Sequence, residues 1–425
     1  MDNITHGLAG LLMADVTVQS MSSRQRRTIS PRVRRATVLL GIAAAEFPDS
    51  DLLYSGPLVQ LGPLGYLLHH RGHTHTLIWA TISALALWWF ARRWIARGDS
   101  ADRSTPTGPL LWLALAGTWS HLLLDWTNSY GVHPFWPLDD RWYYGDAVFI
   151  VEPWLWLVAI PPLLFGARSR GGRVLLVLLA LVMLAASGFT GQVAGVIAVA
   201  LLVFAALWTG AQWLLPARGR AWAGLALWAG VTTGFVVSGR AVRAAVTATA
   251  AARGDTVLDV VLNPAPGDPT CWSTLVVSRS ADRSTYRLTS GIAGLLARRN
   301  AEACLTTYAN GRVGGDVLGG LPGTSAQVPF DVSPALAWRT TWAAPVADLV
   351  QLSNTRCEVA AALRFMRTPV WQTTADGYLL LADARYGTGG GFNALAYPAA
   401  AGPCSIAGRW IPSWTPPRLD VLRGR

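Results

Sequence analysis

The chain has 425 residues, about half of them hydrophobic and only 14% charged, where a soluble domain carries roughly 25%. The deficit lies between Thr76 and Gly239 and excludes an ordinary soluble globular protein. The formal charge of +11 comes from Arg, since the chain has no Lys; those in the membrane part stand in short loops between apolar runs, so topology accounts for them and a nucleic-acid partner is not expected.

The N-terminus, MDNITHGLAG, lacks a basic leader and a small-residue cleavage site, so no cleavable signal peptide is expected. A hydrocarbon core about 30 Å thick needs roughly 20 apolar residues as helix. The first two apolar segments, Ile4–Val18 and Ala36–Phe47, are weak and read as short helices within a bundle. Six later ones qualify as spans: Leu77–Ile95, Pro109–Trp126, Val148–Phe165, Val174–Phe189, Val193–Leu215 and Ala221–Ser238. Ala241–Ala252 reads as a helical linker. Beyond it, Ser273–Val277, Thr285–Leu288 and Tyr378–Leu381 are short and β-prone, Ile292–Arg299 and Arg356–Met366 read as helices, and the tail from Ile411 reads as irregular. The expected fold is mainly α, a polytopic transmembrane helical bundle over residues 1–239. A C-terminal extracytoplasmic domain of α+β or mainly β type follows over 240–425.

Orientation follows from the Arg. If the segments alternate, Arg24, Arg26, Arg27, Arg32, Arg34, Arg35, Arg92, Arg93, Arg97, Arg103, Arg168, Arg170, Arg173, Arg218 and Arg220 share one side, and only Arg71 and Arg141 of the membrane part face the other. The Arg-rich side is then cytoplasmic. Everything after Gly239 falls outside, where Cys271, Cys304, Cys357 and Cys404 can form two disulfides; three pairings are open.

Five polar groups also fall on the outer side: Asp2-Asn-Ile-Thr5-His6; Glu46-Phe-Pro48-Asp49-Ser-Asp51; His69-His70-Arg71-Gly72-His73-Thr74-His75; His121-Leu-Leu-Leu-Asp125; and Asn128 through Tyr130-Gly131 and Pro134-Phe135 to Glu152-Pro153. His121 and Asp125, four apart, share a helix face. In an apolar helix an unpaired carboxylate is costly, and a cation would neutralise it. Asp49 and Asp51 follow a helix-stopping proline and can project from a turn. Imidazoles with carboxylates suit Zn²⁺, Mn²⁺ or Fe²⁺, and two or three ions can activate water and clamp a phosphoryl oxygen. Arg71 would then pair with an anionic substrate group. Each group alone has a structural explanation: a buried His–Asp pair, a capped turn, a His-rich loop. Their convergence on one side of the membrane, with no His after His133, favours a metal site.

The residues Met1-Asp2…Thr5-His6…Gly10, Pro48-Asp49-Ser-Asp51, His70-Arg71-Gly72-His-Thr74-His75 and His121-Leu-Leu-Leu-Asp125 resemble the YdjM/YfhP group of membrane-bound metal-dependent hydrolases. The resemblance covers about residues 1–155, and Asp383-Ala-Arg385-Tyr386 is similar to a later element of the YfhP-like branch. It implies a helical bundle, related to the zinc-dependent phospholipase C/P1 nuclease class. It also implies metal ligands at His6, Asp49, Asp51, His70, His75, His121 and Asp125, more than one ion, and catalytic roles for Arg71 and Asp51. Two positions depart from the family pattern: Thr76 replaces the usual Ser and Glu152 a frequent Asp, which puts Glu152's part in the site in doubt. The expected function is a hydrolase acting through metal-activated water on a phosphoester of a membrane lipid or envelope precursor. The alternative is a non-catalytic, metal-stabilised membrane scaffold or sensor. A transporter fits less well, because the late spans hold few polar residues.

Overall fold

The computed structural model describes residues 1–25, 29–56, 58–308, 317–318, 321, 335–387, 393–400 and 402–423. Arg26 and Arg27 of the basic loop lie outside the described residues.

Helix α1 (Asn3–Gln25) packs on α2 (Pro31–Glu46). Glycine permits the approach: a Cβ on Gly10 would stand 2.3 Å from the carbonyl oxygen of Gly41, the kind of small-residue contact that lets membrane helices close up. Ser30 caps α2 by accepting from Val33 N, and Pro31 opens its first turn. The helix tightens into a 3₁₀ turn, Phe47–Asp51, at Pro48. Two short helices follow, α3 (Leu52–Ser55) and α4 (Pro63–His69), then a second 3₁₀ turn, His73–His75. Thr76 caps α5 (Leu77–Ala96) by accepting from Trp79 N. After α6 (Ser100–Arg103), α7 (Gly108–Trp126) crosses α2 at Gly117, where a Cβ would lie 2.6 Å from that of Ala44. Helices α8 (Pro153–Gly166), α9 (Arg170–Phe189), α10 (Gly195–Leu214) and α11 (Ala217–Ala251) complete the bundle.

By length and hydropathy three helices can cross a membrane: α9, α10 and α11. The bent pair Pro63–His75 with Leu77–Ala96 makes up to four. Six were expected. The segment Val148–Phe165 becomes helical only from Pro153, and its 14 residues span about 21 Å at 1.5 Å each, short of the hydrocarbon thickness. Helices α9 and α10 expose Val174, Leu178, Leu181, Val199, Leu202 and Leu207, a surface of the kind lipid covers.

Helix α11 runs unbroken through 239 and 240 and carries the expected helical linker. A four-stranded antiparallel sheet follows in sequential order: β1 (Thr256–Ala265), β2 (Asp268–Arg279), β3 (Thr285–Gly294) and β4 (Leu336–Pro345). Helix α12 (Ala301–Tyr308) lies between β3 and β4, and α13 (Val346–Thr355) and α14 (Cys357–Ala362) come after. A second antiparallel sheet joins β5 (Pro369–Thr373), β6 (Tyr378–Asp383) and β7 (Ala394–Pro398), and the tail holds only α15 (Leu419–Leu422). Two expectations are corrected. Ile292–Arg299 is not a helix: Ile292, Ala293 and Gly294 pair with Ser273, Trp272 and Cys271, and ladder formation overrides their helix propensity. In Arg356–Met366 only Cys357–Ala362 is α-helical. Disulfides join Cys271 to Cys304 and Cys357 to Cys404.

The sheets sit on the bundle. One apolar cluster holds Leu64, Leu67 and Leu68 of α4 together with Val277, Tyr286 and Trp342 of the first sheet. A second holds Leu8, Trp156 and Phe235 with Trp272 and Trp338.

Candidate metal centre

The site forms where α1, α7 and the two 3₁₀ turns meet. Asp49 and Asp51 stand on the turn after α2, His75 on the turn before α5, and His121 and Asp125 one helical turn apart on α7. His70 caps α4. The backbone then turns through Arg71, whose φ of 58° lies in the left-handed region. That turn lets Arg71 N donate to Asp51 Oδ2 at 2.9 Å.

Four donor atoms converge: Asp49 Oδ1, His75 Nε2, His121 Nε2 and Asp125 Oδ2. His75 Nε2 lies 3.1 Å from His121 Nε2. It lies 3.4 Å from Asp49 Oδ1 and 3.0 Å from Asp125 Oδ2. His121 Nε2 lies 3.5 Å and 3.3 Å from the same oxygens. Donors about 2.0–2.1 Å from a tetrahedral Zn²⁺ are separated by about 3.3–3.4 Å. The observed edges bracket that value.

Proton positions sharpen the point. His121 Nδ1 lies 2.5 Å from Ala45 O. A carbonyl only accepts, so this nitrogen carries the proton and Nε2 of the neutral ring is a lone pair. His75 Nδ1 lies 3.2 Å from Asp51 Oδ2, a carboxylate held by Thr74 Oγ1 at 2.7 Å; its Nε2 is likewise a lone pair. Neither Asp49 Oδ1 nor Asp125 Oδ2 has a hydrogen-bond partner, although both are buried. Four acceptors therefore face one point, an arrangement a cation satisfies, with second groups fixing each imidazole from behind. Without a cation the cluster holds protons. Burial opposes charge on His75, yet the facing carboxylates of Asp125, Asp49 and Asp51 raise its pKa well above the ordinary value. Burial likewise pushes Asp49 and Asp51 upward. The neighbouring imidazoles, His121 and His75 at Asp49 and His70 and His75 at Asp51, prevail and hold both below the carboxylate range.

The other expected residues surround this group in distinct ways. Asp51 is fully buried, and besides Arg71 N and Thr74 it meets His70 Nδ1 at 3.0 Å and His75. Asp49, Asp51 and His70 form a second cluster of metal-capable atoms sharing Asp49 with the first. His6 stacks on His121 with centroids 3.7 Å apart, and its Nε2 is 3.2 Å from Asp125 Oδ1. It therefore touches the rear oxygen of Asp125 and stands outside the four-donor group. Arg71 pairs with that oxygen at 3.0 Å and donates to Asn128 Oδ1 at 3.0 Å, and the Met1 amine contacts the same oxygen. Arg71 thus anchors Asp125, which leaves its Nε, a buried unpartnered donor, for any other group.

Beside the cluster lies a cavity of about 550 Å³ lined by Asp49, Tyr66, His70, Arg71, Tyr130 and Tyr386, among others. Arg71 Nε, Asn128 Nδ2 and the Tyr130 hydroxyl are buried there without hydrogen-bond partners. The far wall comes from the C-terminal part, through Asn263, Ser273, Arg385 and Tyr386. Arg385 pairs with Asp383 at 2.7 Å and donates to Ser129 O at 2.7 Å and Tyr130 O at 3.2 Å, fixing that wall to the loop after α7.

The remaining histidines are structural. His69 and His73 pack on Trp410, and His133 stacks on Trp414 with centroids 3.8 Å apart. Glu152 caps α8 and accepts from Gly267 N at 3.2 Å; it is a joint between bundle and sheet, away from the cluster. Among the residues the motifs left unnoticed, Asn3 donates to both Glu46 and Asp49, and Tyr66 and Asn263 reach the cavity from sequence contexts that carry no local signal.

The model of the YdjM inner membrane protein family matches residues 1–194. This part of the chain, somewhat under half of it, is YdjM-like, which agrees with the resemblance its motifs carry. No curated protein and no solved structure matches the chain.

Proposed function

We propose that the protein is a membrane-bound, metal-dependent hydrolase acting on a phosphoester of a membrane lipid or envelope precursor. The observation that carries this reading is the four-acceptor group of Asp49, His75, His121 and Asp125, with tetrahedral donor spacing, opening beside a cavity of about 550 Å³. Zn²⁺ fits the donor set, with Mn²⁺ or Fe²⁺ as alternatives, and the adjoining Asp49–Asp51–His70 group gives room for a second ion. A bound divalent cation would supply charge neutralisation and water activation.

The chain's own residues have separable tasks. Asp51 fixes the imidazoles of His75 and His70 from behind. Arg71 holds Asp125 in place and offers Nε to an anionic group in the cavity, beside Asn128 Nδ2 and the Tyr130 hydroxyl. The apolar share of the lining, including Leu52, Phe149 and Ile150, suits an amphiphile. The C-terminal part closes the cavity and limits water.

The proposed orientation places this end of the bundle and residues 240–425 outside the cytoplasmic membrane. Its supports are the Arg-rich loops at the opposite helix ends and two disulfides in the C-terminal part. The test is metal analysis of purified protein, followed by a turnover screen of lipid phosphoesters with Asp49→Asn as control. Metal-dependent turnover lost in the variant is expected. Stoichiometric metal with no turnover would favour the scaffold reading, and absence of metal would defeat both.

A further inference from the structure

A basic cavity lies at the opposite end of the bundle. There Arg32 and Arg35 of α2, Arg168 between α8 and α9, and Trp94 near the end of α5 line an open cavity of about 790 Å³. We propose that this basic cavity binds a phosphate group, carried by an anionic lipid at the membrane surface or free in solution.

The positive-inside pattern alone does not produce this arrangement. Orientation is served by Arg anywhere in the short loops, whereas these three come from two stretches more than 130 residues apart in sequence and converge on one cavity. Like charges gathered together repel unless an anion lies among them. Among the described residues, no carboxylate lies within salt-bridge distance of Arg32, Arg35 or Arg168. The carboxylates at this end are committed elsewhere. Asp15, which does feel the charge of Arg168, pairs with Arg34 at 4.0 Å and accepts from Gln19 at 2.7 Å. Asp102 accepts from Ser30 Oγ at 2.5 Å, and Asp99 accepts from Asp102 N at 2.8 Å.

The cavity is also built to stay open. Arg32 Nε donates to Trp94 O at 3.1 Å, which fixes its guanidinium and leaves the two terminal nitrogens without a hydrogen bond among the described residues, in the forked geometry that fits phosphate oxygens. The side chains of Arg35 and Arg168 are exposed and make no hydrogen bond among the described residues. Trp94 gives the rim an indole of the kind found at membrane interfaces, and basic pockets between helices at a membrane surface suit lipid phosphates.

The experiment uses the full-length protein in nanodiscs of phosphatidylcholine with or without 30% phosphatidylglycerol (about that fraction suffices to set a surface potential). Lipid retained after mild detergent extraction is quantified by mass spectrometry. A parallel arm titrates inorganic phosphate into protein in phosphatidylcholine discs. The test variant is Arg35→Gln with Arg168→Gln, two side chains with no bonds to lose, and the control is Arg141→Gln at the other end. Intact disulfides and unchanged metal content report folding. With two basic residues removed near an anionic surface, the double variant should weaken retention about 30-fold while the control leaves it unchanged. Enrichment of phosphatidylglycerol that the variant abolishes supports a lipid phosphate. Saturable inorganic phosphate binding that the variant abolishes, without lipid enrichment, supports a soluble one. Absence of both, or binding that survives the double substitution, overturns the proposal. None of these outcomes depends on turnover at the metal centre.

Discussion

Asp49→Asn isolates the metal ligand from the architecture around it. Asp49 Oδ2 accepts from Asn3 Nδ2 at 3.0 Å, whereas Oδ1 faces His75 Nε2 and His121 Nε2 at 3.4 and 3.5 Å. An asparagine keeps the shape. Its oxygen must take the Oδ2 position to keep the bond from Asn3, which turns its NH₂ toward the two imidazole lone pairs. A ligand becomes a donor aimed into the centre, and no Arg loses a partner. Loss of a group that merely orients a ligand costs roughly 10–100-fold in metal affinity, so loss of a charged ligand should exceed about 100-fold, or about 2.7 kcal/mol. At free metal near 1,000 times the wild-type Kd, binding stabilises the folded state by about 4.1 kcal/mol; after a 100-fold loss about 1.4 kcal/mol remains. The assay is thermal unfolding in detergent with Zn²⁺ and with chelator, alongside metal content. In chelator the two proteins should melt within about 1–2 °C of each other, the shift of roughly 1 kcal/mol in a chain of this size. A variant that binds Zn²⁺ within threefold of wild type, with the same metal-induced shift, would refute the four-acceptor assignment.

Three further outcomes are expected. A reporter active only in the cytoplasm should give no signal when fused after Arg418 and a clear signal near Arg97; the reverse would invert the orientation. Unreduced peptide mapping should recover Cys271 linked to Cys304 and Cys357 linked to Cys404. With sequence separations of 33 and 47, loop closure predicts losses of about 3.7 and 4.0 kcal/mol on replacing either pair by serine, and four alkylatable thiols would rule the bridges out. Glu152 is fully buried, and burial, against backbone hydrogen bonds from Gly267 and Trp154, pushes its pKa from 4.5 up to about 8. The folded state then holds a proton that the unfolded chain releases between those values, so stability falls as pH rises through this window, by at most about 1.4 kcal/mol per unit. Glu152→Gln should flatten that slope in denaturant titrations from pH 5 to 8, and identical slopes would contradict it.

What the sequence made legible is local, and what it hid is tertiary. His121 and Asp125 were readable because α-helical spacing puts positions four apart on one face. Asp49 and Asp51 were readable because Pro48 ends the regular helix. The division of labour among the carboxylates was not readable. Asp49 and Asp51 stand two apart on one turn, yet only Asp49 enters the four-donor group while Asp51 also fixes two imidazoles from behind. Arg71 looked like a free anion clamp and is mostly engaged by Asp125 and Asn128, contacts 54 and 57 residues away. The roles of His69, His73 and His133 depend on Trp410, just before the tail read as irregular, and on Trp414 within it. In the C-terminal part, Ile292–Arg299 reads as helix, but Ile292–Gly294 is strand through pairing with residues of β2, a partner no local window contains.

The joint between the two halves bears on the proposed chemistry. Arg367 bridges Asp146 at 2.8 Å and Asp259 at 2.8 Å, linking the loop before α8 to the first sheet. Arg385 holds the loop after α7 through two carbonyls while its charge is matched by Asp383. All but Asp259 of these side chains are almost fully buried, and a buried guanidinium left without its carboxylate costs about 3–5 kcal/mol. Opening the cavity by swinging the sheets away would break the buried Arg367–Asp146 pair and both bonds from Arg385 to the loop after α7. Access for an amphiphile is therefore cheaper through the side, past the partly exposed Leu52 and Ile150 that line the same cavity. Under the proposed function, a fixed roof with a side entrance would let a lipid-borne substrate reach the candidate metal centre without the C-terminal part leaving the bundle.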